Sequence, residues 1–108
     1  MDKKEILESV KLLHKLNIIH GDIKEDNIMY SPSFGKNVLI DFNCSSVISE
    51  KVGEKTLTMF KGTRLNCSEE MEALYYSRKP DLVDLYFNDL VSLKKINEKP
   101  SSSLYLFS

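Results

Sequence analysis

Several things are scarce in this chain. No apolar run approaches the ~20 residues that a membrane-spanning helix needs, so no membrane partner is expected. The first residues, Met-Asp-Lys-Lys-Glu, are charged where a signal peptide would be apolar. Acidic and basic residues nearly balance, 16 against 15, which leaves a net charge of -1 and no strong pull toward nucleic acid. Cysteine occurs twice. Cys44 and Cys67 have neither CxxC spacing nor metal-type histidines beside them, so two reduced thiols and a cytoplasmic, intracellular setting are expected. No internal repeat is visible.

What is present suits one small domain or part of a larger one. The 108 residues are 42% hydrophobic and 29% charged, enough to bury a core beneath a polar surface. Residues 3–17 read as an amphipathic helix, with Ile6, Val10, Leu13 and Leu16 or Asn17 at helical spacing and Leu7 and Leu12 widening the stripe. Asp2 and Glu5 have capping-box spacing at its start, and Asn17 is its stop. Ile18 and Ile19 lead into a polar loop at 20–27. Residues 27–30 and 37–42 read as two short strands joined by Ser31-Pro32-Ser33-Phe34-Gly35-Lys36, a turn-rich connection.

Residues 43–69 read as a long polar loop, and its Lys and Glu at 50–55 as a solvated stretch. A short helix is expected at 70–77, broken by Arg78-Lys79-Pro80. A second long helix is expected at 81–95, capped by Asp81 and apolar nearly all round, as suits burial inside a larger body. Residues 94–103 read as a linker, and Leu104 to Phe107 as a short apolar end.

The chemistry concentrates in His20-Gly21-Asp22-Ile23-Lys24-Glu25-Asp26-Asn27, followed by Asp41-Phe42-Asn43. Phosphoryl transfer asks for a group that aligns the attacking hydroxyl, a positive charge near the moving phosphoryl group and oxygen ligands for Mg²⁺. Asp22, Lys24, Asn27 and Asp41 could supply that set. The 27–42 hairpin would set Asn27 and Asp41 at adjacent strand ends, where they could meet at one metal site. The plainer alternative makes Asp22, Asp26 and Asn27 ordinary turn and capping residues, Thr63 a solvated loop threonine and His14 a helix-face residue.

Taken together, these segments resemble the middle of a eukaryotic-type Ser/Thr protein kinase catalytic domain. "ILESVKLLHKLNIIHGDIKEDNIM" resembles the helix and catalytic loop, and "NVLIDFN" the strand that delivers the metal-binding Asp of the DFG motif. "FKGTRLNCSEEM" resembles the end of the activation segment, with Glu70 closing it. "KPDLVDLYFNDLVSL" resembles the central buried helix, with Asp81 in place of its acid. The resemblance implies an α+β, mainly helical fold: residues 1–95 as a partial C-terminal lobe with a short β-hairpin, and residues 96–108 as a tail.

By position, the resemblance makes Asp22 the catalytic aspartate, a general-base role typically worth ~10²–10⁴ in rate. Lys24 is implied at the γ-phosphate of ATP, Asn27 and Asp41 at Mg²⁺, Thr63 as a substrate-positioning residue, and His20 beneath the metal-binding loop. The acceptor would be Ser or Thr of a protein substrate.

The departures from the pattern are specific. These residues contain no Gly-rich phosphate loop and no nucleotide-binding Lys strand, so little kinase activity is expected of them alone. Gly21 replaces the Arg that usually answers a phosphorylated activation loop. Asn43 replaces the Gly of DFG, where φ > 0 is wanted. Glu70 lacks its usual Arg, which implies a carboxylate facing water or one with a raised pKa. HGDIK is similar to the vaccinia-related and casein-kinase-like group.

Two other functions stand beside the kinase. A pseudokinase-type binding module would use the helix faces at 3–17 and 81–95 to meet a partner. A small-molecule phosphotransferase remnant of the aminoglycoside or choline kinase type would share HGD, but Lys24 and the 63–70 segment speak against it.

Overall fold

The computed structural model describes residues 3–98. The Asp2 cap, most of the expected tail and the apolar end at 104–107 lie outside the described residues. The elements are α1 (Lys3–Lys15), β1 (Ile18–Ile19), β2 (Ile28–Ser31), β3 (Lys36–Leu39), β4 (Ser46–Val47), β5 (Thr56–Thr58), α2 (Glu69–Ser77), β6 (Asp81–Val83) and α3 (Leu85–Glu98), with 3-10 turns at Glu25–Asn27 and Arg64–Asn66. The fold is α+β, with helices outweighing small two-stranded sheets. No helix among the described residues is long and apolar enough to cross a membrane.

Helix α1 buries Ile6 and Val10 completely, with Leu7 and Leu13 packed beside them. Each such side chain contributes about 1.5–3 kcal/mol relative to exposure. Leu12, expected to widen the stripe, and Leu16, expected at its end, are exposed instead. Asn17 ends the helix with φ 60, a left-handed conformation that Asn tolerates. Glu5 reaches beyond its own helix. Its carboxylate accepts from the Asn37 backbone N–H at 2.6 Å, tying α1 to β3.

Strands β2 and β3 form the expected antiparallel hairpin, with Ile28 opposite Leu39 and Ser31 opposite Lys36. Ile40, Asp41 and Phe42 leave the ladder before the turn toward β4. The stretch read as one long loop is partly ordered. Within it, β4 pairs with β1, and β5 pairs with β6. Strands of two or three residues carry no readable alternation, which is why they were invisible in the sequence.

The last helix differs most from expectation. Asp81 is not its cap, because Asp81–Val83 is drawn into a ladder with Thr56–Thr58. Asp84 caps α3 instead, accepting from Phe87 N–H at 3.0 Å. The helix then runs through Lys94 and Ile96, the region read as linker. Nor is it buried all round. Phe87 and Leu90 are exposed, while the polar Asn88, Asp89 and Ser92 are buried.

Two hydrophobic clusters result. One joins Ile19, Ile48, Cys67, Met71, Leu74, Val83 and Leu85; the other joins Ile6, Val10, Ile23, Leu39, Leu93 and Ile96. Helix α3 contributes to both. The loop that starts at His20 is anchored in the first cluster by Ile19 and in the second by Ile23, so the polar residues between them have fixed backbone positions. Both cysteines are free thiols, and burial pushes the Cys67 thiol up, which keeps it protonated.

Candidate active site

The loop is held from below by a buried carboxylate. Asp89 is fully buried; its Oδ1 accepts from Gly21 N–H at 2.9 Å, and its Oδ2 accepts from His20 N–H at 2.9 Å. His14 Nε2 donates to the same Oδ2 at 3.0 Å, and the His14 ring meets Tyr86 edge-on at 4.8 Å. A charge in so dry a place survives only with such partners. Asp89, and not Asp81, therefore occupies the acid's place in the central helix. Asp81 is exposed and bonds to its own neighbour, Leu82 N–H. The signal for Asp89 was present: it is the one charged residue in the run Leu85 to Leu93, where an ionised side chain demands partners.

His20 passes the constraint upward. Its Nε2 donates to the Ile40 carbonyl at 2.9 Å, and its Nδ1 accepts from Asp22 N–H at 3.1 Å. The two bonds together specify the Nε2–H tautomer. The ring also meets Phe42 edge-on at 4.8 Å, so it lies under the 40–43 turn. Gly21 sits between with φ 87, and a Cβ there would fall onto the carbonyl of Cys44. No side chain fits at the position where the usual Arg would stand.

The polar residues then converge. The Thr63 hydroxyl donates to Asp22 Oδ1 at 2.8 Å and accepts from Lys24 Nζ at 2.9 Å. Lys24 Nζ stands 3.7 Å from Asp22 Oδ2. Asn27 Nδ2 donates to the Asp22 carbonyl at 2.8 Å and approaches Asp22 Oδ2 at 3.3 Å. Gly62, with φ 95, lets this segment run directly against the Gly21 carbonyl. Asp22, Lys24, Asn27 and Thr63 thus form one cluster spanning 41 residues of sequence.

Asp41 stands apart from that cluster. The Asn27 carbonyl accepts from Ile40 N–H at 2.8 Å, which brings the two strand ends together. The Asp41 side chain is exposed, and its Oδ1 accepts from Asn43 N–H at 3.3 Å. Positive φ was expected at Asn43; Asp41 carries it, at 56.

Mg²⁺ is the cation that the sequence implies for Asn27 and Asp41. No group of three or more His, Cys, Asp or Glu that could hold a metal exists among the described residues. A hard cation that takes one or two protein oxygens and otherwise uses phosphate and water does not need such a cage. The exposed Asp41 carboxylate and the Asn27 carboxamide oxygen are of the right chemistry, so the residues fit.

Glu70 does not face water alone, and its pKa is not raised. Lys55 forms an ion pair with it, and its Oε1 accepts from Asp84 N–H at 3.2 Å. The Lys55 hydrogen bond, then that backbone N–H, hold the Glu70 carboxyl below the usual range. Lys55 is raised in turn, by the same hydrogen bond and by the charge of Glu70. The stretch at 50–55 is therefore not merely solvated. The Lys51 ammonium also lies over the Tyr86 ring, 5.2 Å from its centroid.

The family model described as "Protein kinase domain" matches residues 3–86. A probable serine/threonine-protein kinase, fhkD of Dictyostelium discoideum, is 43% identical over 72 residues, 63% of this chain and 9% of that protein. Serine/threonine-protein kinase pim-2 of Danio rerio is 32% identical over 62 residues, 57% of this chain and 19% of that protein. Among solved structures, the Cydia pomonella granulovirus kinase PK-1 matches with a TM-score of 0.53 and 23% identity, over 84% of this chain and 31% of that one. The chain thus spans less than a third of each of these proteins, and the last match speaks to the fold alone.

Proposed function

This chain belongs to the protein kinase domain family, and from that premise we propose that it carries the acceptor-side half of an ATP-dependent phosphoryl-transfer site for Ser or Thr of a protein. One observation carries the reading: the Thr63 hydroxyl is bonded at once to Asp22 and to Lys24. That arrangement suits an aspartate that must orient a substrate hydroxyl and a lysine that must stay beside it.

Asp22 would align the acceptor hydroxyl and take its proton on the carboxylate. Its backbone N–H is tied to His20 and its side chain to Thr63 and Asn27, so its position is set before substrate arrives. Lys24 would neutralise charge developing on the transferred phosphoryl group. Thr63 would keep Asp22 and Lys24 at a working distance. Asn27 and Asp41 would hold Mg²⁺, which supplies Lewis-acid neutralisation of phosphate oxygens.

The 108 residues contain no Gly-rich loop and no nucleotide-binding Lys strand. Purified as such, the chain is expected to bind Mg·ATP weakly and to transfer little phosphate. The test is thermal unfolding with and without Mg·ATP, which raises Tm if the half-site binds nucleotide. A shift in the wild-type chain that disappears in Asp41→Asn supports the reading. Phosphorylation of a small alcohol or an aminoglycoside, with none of protein, would overturn it.

A second reading, a pseudokinase-type binding module, is favoured by Leu12 on α1, Leu16 in the turn that follows it, and Phe87 and Leu90 on α3, all exposed. Partner-dependent protection of these residues with no response to nucleotide would favour it over transfer.

A further inference from the structure

The segment that delivers Thr63 is held at its two ends by Ile48, buried in the first cluster, and Phe60, packed against that cluster and edge-on to Tyr75 at 5.3 Å, and more lightly between them. Between β4 and the 3-10 turn at Arg64–Asn66, it makes one three-residue ladder, β5 with β6. Just before that ladder the chain doubles back. Val52 and Lys55 exchange backbone hydrogen bonds of 2.7 and 3.2 Å around Gly53, which has φ 66. The turn presents Lys55 toward α2 and β6, where its ammonium meets the Glu70 carboxylate. Asp81 and Asp84 also act on it through charge. Glu70 is itself anchored, since it accepts from Asp84 N–H at the start of α3.

We propose that Lys55 is a positioning residue. By pairing with Glu70, between Asp81 and Asp84, it pins β5 onto β6 in one register and so sets Gly62 and Thr63 against the 20–22 loop. Three independent features meet in this proposal: the tight turn that aims Lys55, the ladder that begins at the next residue, and the two glycines whose close approach leaves no slack at Gly62. A ladder slip of one residue would reverse the faces of Thr56–Thr58 and displace the downstream chain. Removing the lysine would leave Glu70, Asp81 and Asp84 as three unneutralised carboxylates around one strand end.

The latch is partly solvated, with Lys55 about half exposed and Glu70 about one third. An ion pair so placed is screened by salt. The ordering of this segment is therefore sensitive to ionic strength, unlike that of the buried loop it contacts. The positioning claim stands on the geometry. Its bearing on phosphoryl transfer rests on the function proposed above.

Amide hydrogen exchange of the 108-residue chain tests the claim apart from activity. Lys55→Ala should speed exchange at Thr56–Thr58 by about threefold to fivefold, with Ile6–Val10 of α1 unchanged, and should shift the Gly62 and Thr63 amide resonances. Lys55→Arg should do neither, because the charge is kept. Unchanged exchange in Lys55→Ala overturns the proposal, and so does a Lys55→Arg chain that behaves like Lys55→Ala. Where the alanine variant fails to fold, wild-type chain taken from about 0.05 to about 1 M salt carries the same test. Salt-insensitive exchange at Thr56–Thr58 would then sink the latch. An intact latch with no Mg·ATP response would sink only the phosphoryl-transfer reading.

Discussion

The loop at 20–27 and the segment at 50–63 are both polar, and both supply residues to the same cluster. They are held in different ways. The loop hangs between two apolar clusters through Ile19 and Ile23, and its backbone N–H groups end on a buried carboxylate. The segment lies mostly at the surface, fastened by a short ladder, a half-exposed ion pair and the partly buried Phe60 ring. Asp22 is thus on the rigid side of the cluster and Thr63, which touches it, on the yielding side. Desolvation makes the difference: a hydrogen bond that no water can replace is costly to lose, whereas a solvated pair is nearly free to open.

Removing the acceptor of the rigid side should have the largest effect. Asp89→Ala leaves the N–H groups of His20 and Gly21 and the His14 ring without their acceptor in a dry place. A loss of about 3–5 kcal/mol is expected by denaturant unfolding. A loss below about 1 kcal/mol would mean that the loop is held by packing alone and would erase the contrast.

Gly21→Ala comes next. It combines a strained φ of 87 with a Cβ driven onto the Cys44 carbonyl, and about 2–3 kcal/mol should be lost. Gly53→Ala meets nothing within 4 Å, so on the surface segment only the backbone strain should register. Equal costs at the two glycines would show that the two regions are equally tight.

Ser68→Ala tests the start of α2, beyond the segment, where the Ser68 hydroxyl accepts from Met71 N–H at 3.3 Å. Loss of a cap of this kind costs about 1 kcal/mol, read as a lowered denaturation midpoint.

The smallest effect is expected from pH. Glu70 is depressed, so its contribution is present above its unfolded-state pKa and is lost as pH falls through the lower folded value. Lys55 is raised, so its share is present below the unfolded lysine value and is lost as pH rises through the folded one. Asp81 and Asp84 face the same lysine. Protection of the Thr56–Thr58 amides, taken relative to the intrinsic exchange rate at each pH, should therefore be highest between the carboxylate and lysine ranges and should fall below the former, with global stability barely moved. A change centred on neutral pH would break the assignment.

Much of the site was legible because it is local. His20 through Asn27 and Asp41 through Asn43 are contiguous runs, and the order of later landmarks pointed to Thr63 and Glu70. Helix α1, the hairpin and α2 followed from periodicity and turn chemistry. What escaped was whatever depends on a distant partner. Asp81 follows a proline and looks like a cap, yet β5 captures it into a ladder. Lys55 looks like one more charge in a solvated run, yet it faces Glu70.

The linear chain already displayed the family, the kinds of residue in the polar cluster and the helices whose apolar faces repeat. Those depend on side-chain identity and short spacing, which a linear chain displays directly. Only the tertiary structure decided that Asp89 is the acid beneath the loop, that Gly21 must lack a side chain and that Lys55 answers Glu70. Each of these is a matter of which groups lose their water together, and burial is a property of the folded chain and not of any segment of it.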